Sequence, residues 1–130
     1  MPSQPTPRIL LTHFDWSIHR LEEILKNEKT DYYRDASLQR FGFTCGLALK
    51  CLHTFAAERS QTRGSPHEYF ELAAENHWLD PAAEWKEMVE SYQRISHKLQ
   101  GPSADAVYSK LNDYCLWMKS LHENLEELAD

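Results

Sequence analysis

The densest run of hydrogen-bonding side chains in the chain is Ser91-Tyr92-Gln93-Arg94-Ile95-Ser96-His97-Lys98. Arg94 and His97 are three residues apart, which makes them neighbours on a helix. A guanidinium can hold an anion, and an imidazole can donate or accept a proton near neutral pH. Tyr92 adds a ring on which a base can stack. The segment therefore reads as a polar pocket for an anionic or nucleotide ligand. Its ordinary reading is a solvated helix end whose cations suit the C-terminal dipole.

Seven histidines and three cysteines raise the question of a metal. The spacing rejects one. No Glu-x-x-His occurs and no two histidines lie four apart. Cys45 and Cys51 are six apart, about 240° around a helix at roughly 100° per residue. Each cysteine reads as a small buried hydrophobe. There is no Gly-rich phosphate loop and no Ser or Cys nucleophile signature. No metal and no cofactor are expected. Gly42 and Gly46 are less ordinary. A glycine costs about 1 kcal/mol against alanine in a helix interior, so two of them suggest that something comes close. Close approach is expected at Gly46, beside the apolar stripe at Cys45, and a neutral or stabilising effect of alanine at Gly42.

These residues must be carried by helices. Val and Ile together number six, few for a sheet protein, and no proline occurs between positions 8 and 65. Helix one is expected over residues 12–27, with Phe14, Ile18, Leu21 and Leu25 on one face. Helix two is expected over residues 35–59, with Leu38, Phe41, Cys45, Leu49, Leu52 and Phe55 in its stripe. Ser65-Pro66-His67-Glu68 opens helix three by a serine cap, a first-turn proline and a glutamate able to reach back to the cap amide. That helix ends near Asn76. Asp80-Pro81 starts helix four by the same logic, and Trp85, Met88, Tyr92 and Ile95 line it. Gly101-Pro102-Ser103 stops helix four and caps the next. Val107, Leu111, Tyr114, Met118, Leu121, Leu125 and Leu128 then form an unbroken heptad seam in helix five. Long helices joined by short loops give an all-α, up-and-down bundle of four to five helices.

The chain has 130 residues, 42% hydrophobic and 26% charged, which suits one folded domain and excludes global disorder. Its net charge of −6 argues against bulk binding of DNA or RNA. The longest apolar run, from Tyr114 to Met118, is far short of a membrane span. Pro2, Pro5 and Pro7 mark residues 1–11 as a flexible arm, leaving 12–130 as the bundle. Reduced cysteines and no signal segment fit a cytoplasmic protein. Long apolar stripes on helices two and five, with Trp16 and Trp117 off the main stripes, suggest a homodimer.

Three blocks resemble the nucleotidyltransferase substrate-binding protein family of the HEPN superfamily. The first is Asp35-Ala36-Ser37-Leu38-Gln39-Arg40-Phe41-Gly42-Phe43-Thr44, continuing through Cys45 to Lys50. The second is Ser65-Pro66-His67-Glu68. The third is Trp85-Lys86-Glu87-Met88, followed by Tyr92-Gln93 and His97. The resemblance covers the chain from about Asp35 to its end and, more loosely, helix one. It implies a bundle that dimerises and partners a small nucleotidyltransferase-fold protein, in toxin–antitoxin-like pairs. Some relatives are ribonucleases in which a histidine works at the 2′-hydroxyl and an arginine holds the phosphate. Here the arginine position is Tyr92, the asparagine is Gln93, and His97 is kept. Both helix-two glutamates of the family are glycines, Gly42 and Gly46. The position two after the histidine, a tyrosine in some toxin members, is Leu99. Arg94 lies two positions from Tyr92, about 200° around the helix, so it replaces the lost arginine only if the helix breaks.

The reading is a nucleotide- or substrate-binding subunit that is not an enzyme by itself. Its expected ligand residues are Tyr92, Gln93, Arg94, His97, Gln39 and Arg40. The alternatives are a ribonuclease with a rearranged site, using His97, and a purely structural dimeric module.

Overall fold

The structure is a computed structural model, and it describes residues 6–95 and 99–129. Among the described residues it is all-helical, a bundle with six helices where four to five were expected: α1 (Pro7–Leu25), α2 (Asp31–Glu58), α3 (Pro66–Glu75), α4 (Trp85–Ile95), α5 (Gly101–Tyr108) and α6 (Leu111–Leu128). Among the described residues no helix is long and apolar enough to cross a membrane.

Four helix starts differ from expectation, each for a local reason. α2 begins at Asp31, not near residue 35, because the Thr30 hydroxyl accepts the Tyr33 amide at 3.1 Å and caps the helix there. α1 begins at Pro7, not near residue 12, so residues 7–11 of the expected arm are helical; residues 1–5 of it lie outside the described residues. The Thr6 hydroxyl accepts the Ile9 amide at 3.2 Å, Pro7 takes the first turn, and Leu10 and Leu11 join the core. α4 begins at Trp85, not at Asp80. The Asp80 carboxylate accepts the Ala82 amide at 2.9 Å and the Asp80 carbonyl accepts the Ala83 amide, a closed turn in place of a cap. The expected helix five is two helices. The Ser109 hydroxyl donates to the Ala106 carbonyl at 2.7 Å and the Lys110 amide bonds Val107, which ends α5 before α6 starts. The apolar seam survives the break because Val107 and Leu111 are both buried.

The α3 start follows the expected cap, with one change. The Ser65 hydroxyl accepts the Glu68 amide at 3.2 Å, but the Glu68 carboxylate takes the Ser65 hydroxyl at 3.0 Å instead of the cap amide. α2 and α3 end alike. The Gln61 amide reaches back to Ala56 and the Trp78 amide to Ala73, closing the C-terminal turns with Ser60 (φ 56°) and His77 (φ 61°) in the left-handed region.

α2 is the central element and packs on the other five helices. α1 runs antiparallel to it. Their closest polar contact is the buried pair Ser17–Thr44, Oγ to Oγ1 at 2.6 Å. α6 closes the other side of α1. Phe14, Phe41, Phe55, Phe70, Tyr114 and Leu121 fill the core between them.

Candidate functional site between α2 and α4

α4 is held in place by a buried polar contact. The Tyr114 hydroxyl of α6 donates to Glu87 at 2.9 Å, and Ser91 lies 3.1 Å from the same oxygen, so Ser91 is the donor to it. Burial pushes the Tyr114 phenol up to about 12, so it stays a donor. Met88 and Val89 are buried, and Tyr92 and Ile95 rest half-buried on the core. That places Tyr92 and Ile95 over the glycine side of α2.

The glycines leave room there. A Cβ on Gly42 would sit 3.7 Å from Ile95 Cγ2, and one on Gly46 would sit 4.0 Å from the Tyr92 hydroxyl. Both are ordinary contact distances, so the close approach expected at Gly46 is not found. Gly42, Tyr92, Gln93 and Ile95 line a groove of about 500 Å³. A second groove of about 470 Å³ is lined by Asp35, Leu38, Gln39, Ile95, Leu99 and Gln100. Ile95 lines both, so the two adjoin. Burial raises the Tyr92 phenol above its ordinary value, with Cys45 a smaller cause.

The expected ligand residues are divided by this geometry. Tyr92, Gln93 and Gln39 line the adjoining grooves. Arg40 does not. It lines a recess of about 270 Å³ on the α1 side of α2, with Arg20, Glu23, Ile24 and Asn27. Arg94 is exposed and lines neither groove, and α4 runs unbroken past it, so it does not come round to the Tyr92 position. His97 lies outside the described residues. Asp35 and Gln100 line the second groove without having been singled out as ligand residues. Asp35 falls one turn before Gln39, a spacing that was readable.

A polar recess between α1 and α6, about 390 Å³, had no sequence counterpart. Arg8, Asp15, His19, Lys119, His122, Glu123 and Glu126 are among its lining residues. Two of its cations are already paired, one of them with a carboxylate outside its lining. Lys119 meets Glu22 at 2.9 Å and Arg8 meets Glu126 at 3.7 Å. His122 Nε2 lies 3.1 Å from the Leu11 carbonyl, which can only accept, so Nε2 is the donor in that contact, and Nδ1 lies 3.6 Å from Glu126. No group of three or more metal-binding side chains occurs among the described residues.

The chain belongs to the family described as nucleotidyltransferase substrate binding protein like, which matches residues 10–127. No curated protein matches it.

Proposed function

We propose that this protein is a non-catalytic binding subunit that works with a small nucleotidyltransferase and holds a nucleotide or its acceptor substrate between α2 and α4. Support comes from family membership together with the adjoining grooves. Their sizes of about 500 and 470 Å³ suit a small-molecule ligand. The carrying observation is that Gly42 stands where the family resemblance places a glutamate and lines the groove beside Tyr92 and Gln93. Tyr92 offers a ring face, and Gln39 and Gln93 offer paired amide donors and acceptors. A neutral phenol at the arginine position supplies no charge to a phosphoryl-transfer transition state, which favours binding without cleavage.

The same reading carries a homodimer. Leu116 on α6 is 61% exposed and supplies apolar surface for it. Of the two tryptophans behind that expectation, Trp16 is exposed, whereas Trp117 is half-buried with its ring against Tyr114.

Titration calorimetry with mono-, di- and triphosphates, with and without a partner nucleotidyltransferase, tests the binding role. Weak binding that falls in Tyr92→Ala and Gln39→Ala is the expected result. His97→Ala extends the titration to the segment beyond α4. No heat with any nucleotide would remove the groove from the proposal. Cleavage of single-stranded RNA that depends on His97 would overturn its non-catalytic part.

A further inference from the structure

The side of α2 turned away from α4 carries a second surface. Later residues of α1 line a recess with an earlier residue of α2, so the helices are antiparallel. Trp16 and Phe43 each precede a member of the bonded Ser17–Thr44 pair by one residue. On antiparallel helices that places both on the same outer side of the seam, at nearly the same height. They are 53% and 54% exposed. Ile9, seven residues before Trp16 and so on its stripe, is also exposed, while Leu47 is buried beside them.

The charges around these rings are lopsided. The Arg20 guanidinium lies 5.5 Å from the Trp16 ring centre. Lys50 is seven residues after Phe43, on its stripe, and exposed. Arg40 has no carboxylate within ion-pair distance among the described residues. Glu23 and Glu58 on this side already have partners, Arg20 at 3.6 Å and Arg59 at 3.9 Å. A chain of net charge −6 thus places Arg40 and Lys50, neither with a carboxylate partner among the described residues, on the side of its exposed aromatics, next to the Arg20–Glu23 pair. Trp, aromatic and Arg side chains are the types that dominate binding energy at interfaces. A two-fold-related copy would set these cations against themselves.

We propose that the outer face of α1 and α2 docks an acidic amphipathic helix of another protein. Its apolar side chains cover Trp16 and Phe43, and one carboxylate enters the recess of about 270 Å³ between Arg20 and Arg40. The proposal is independent of whether the α2–α4 groove holds a nucleotide.

Two labelled helical peptides test it, sharing one leucine stripe but carrying glutamates in one and lysines in the other. Fluorescence anisotropy with the full chain measures binding. The glutamate peptide should bind at least about tenfold more tightly than the lysine peptide, and more weakly as salt rises. Trp16→Ala, Phe43→Ser and Arg40→Glu should each weaken it about tenfold or more. Arg63→Glu, in the exposed α2–α3 connection, should not. All four sites keep some exposure, and circular dichroism verifies the fold. Equal binding of both peptides, or of neither, would overturn the proposal. So would a homodimer that Trp16→Ala splits into monomers, because the face would then be a self-interface.

Discussion

Replacing Gly42 and Gly46 by alanine tests the packing and the groove together. Both residues lie inside α2, where a glycine is about 1 kcal/mol less favourable than alanine. The added methyl would meet Ile95 at 3.7 Å in one case and the Tyr92 hydroxyl at 4.0 Å in the other. Those distances are attractive and add on the order of 0.1–0.2 kcal/mol per atom pair. No overpacking term opposes the gain. Each alanine should therefore stabilise the fold by roughly 0.5–1 kcal/mol, raising Tm by about 2–5 °C for a chain of this size. The two should add, since the neighbours they meet differ. Binding should respond differently. Gly42 lines the α2–α4 groove and Gly46 does not, so only Gly42→Ala should weaken nucleotide binding. Thermal unfolding and calorimetric titration on the same variants decide this. A lower Tm for either alanine would refute the packing argument. A higher Tm with unchanged nucleotide affinity for Gly42→Ala would refute the placement of the ligand.

Removing the α3 cap by Ser65→Ala should cost about 1 kcal/mol in denaturant unfolding, because Ser65 bonds both the Glu68 amide and its carboxylate. His77→Gly should stabilise by about 1 kcal/mol, since His77 holds φ at 61°, a region that side chains other than glycine adopt at a cost. The three cysteines are buried, and burial pushes Cys115 up to about 11, Cys51 up to about 12 and Cys45 higher still. Iodoacetamide at mildly alkaline pH should leave all three unmodified in the native protein and modify all three after unfolding, read by mass spectrometry. Lys29, and then Arg34, hold the Asp105 carboxyl below its ordinary value of 3.8. A depressed folded value means stability that is present above the unfolded value and lost as pH falls through the folded one. Asp105→Asn should lower Tm at neutral pH, and the gap to the natural chain should close below about pH 4.

Helices were legible wherever a stripe of apolar residues repeats, as in α2 and α6. Their ends were less so, because the same residue types serve competing local bonds. Ser65-Pro66 caps a helix, whereas Asp80-Pro81 folds into a turn in which the aspartate bonds Ala82. Pro7 looked like one more breaker in a proline-rich arm, yet with Thr6 before it the pair makes a helix start. The heptad through Val107 and Leu111 hid the break at Ser109 because both apolar residues stay buried across it. At the site, Tyr92, Gln93 and Gln39 were read from the family blocks and line adjoining grooves. Grouping Arg40 with Gln39 ignored the helix itself: adjacent residues point about 100° apart. The α1–α6 recess depends on which helices pair, and no local pattern carries that.

The block from Asp35 to Lys50 is therefore one stretch of helix with two differently lined sides. Asp35, Leu38, Gln39 and Gly42 line the grooves against α4. Arg40 lines the recess against α1, and Phe43 stands exposed beside that seam. Between the two sides runs the buried stripe of Phe41, Thr44, Cys45 and Ala48. Close-packed cores resist continuous deformation, so a ligand in the groove has no soft path through that stripe to the outer face. Rigid packing of this kind lets the two surfaces change independently. A substitution at Gly42 should therefore alter the groove and leave Arg40 and Phe43, on the other side of α2, undisturbed.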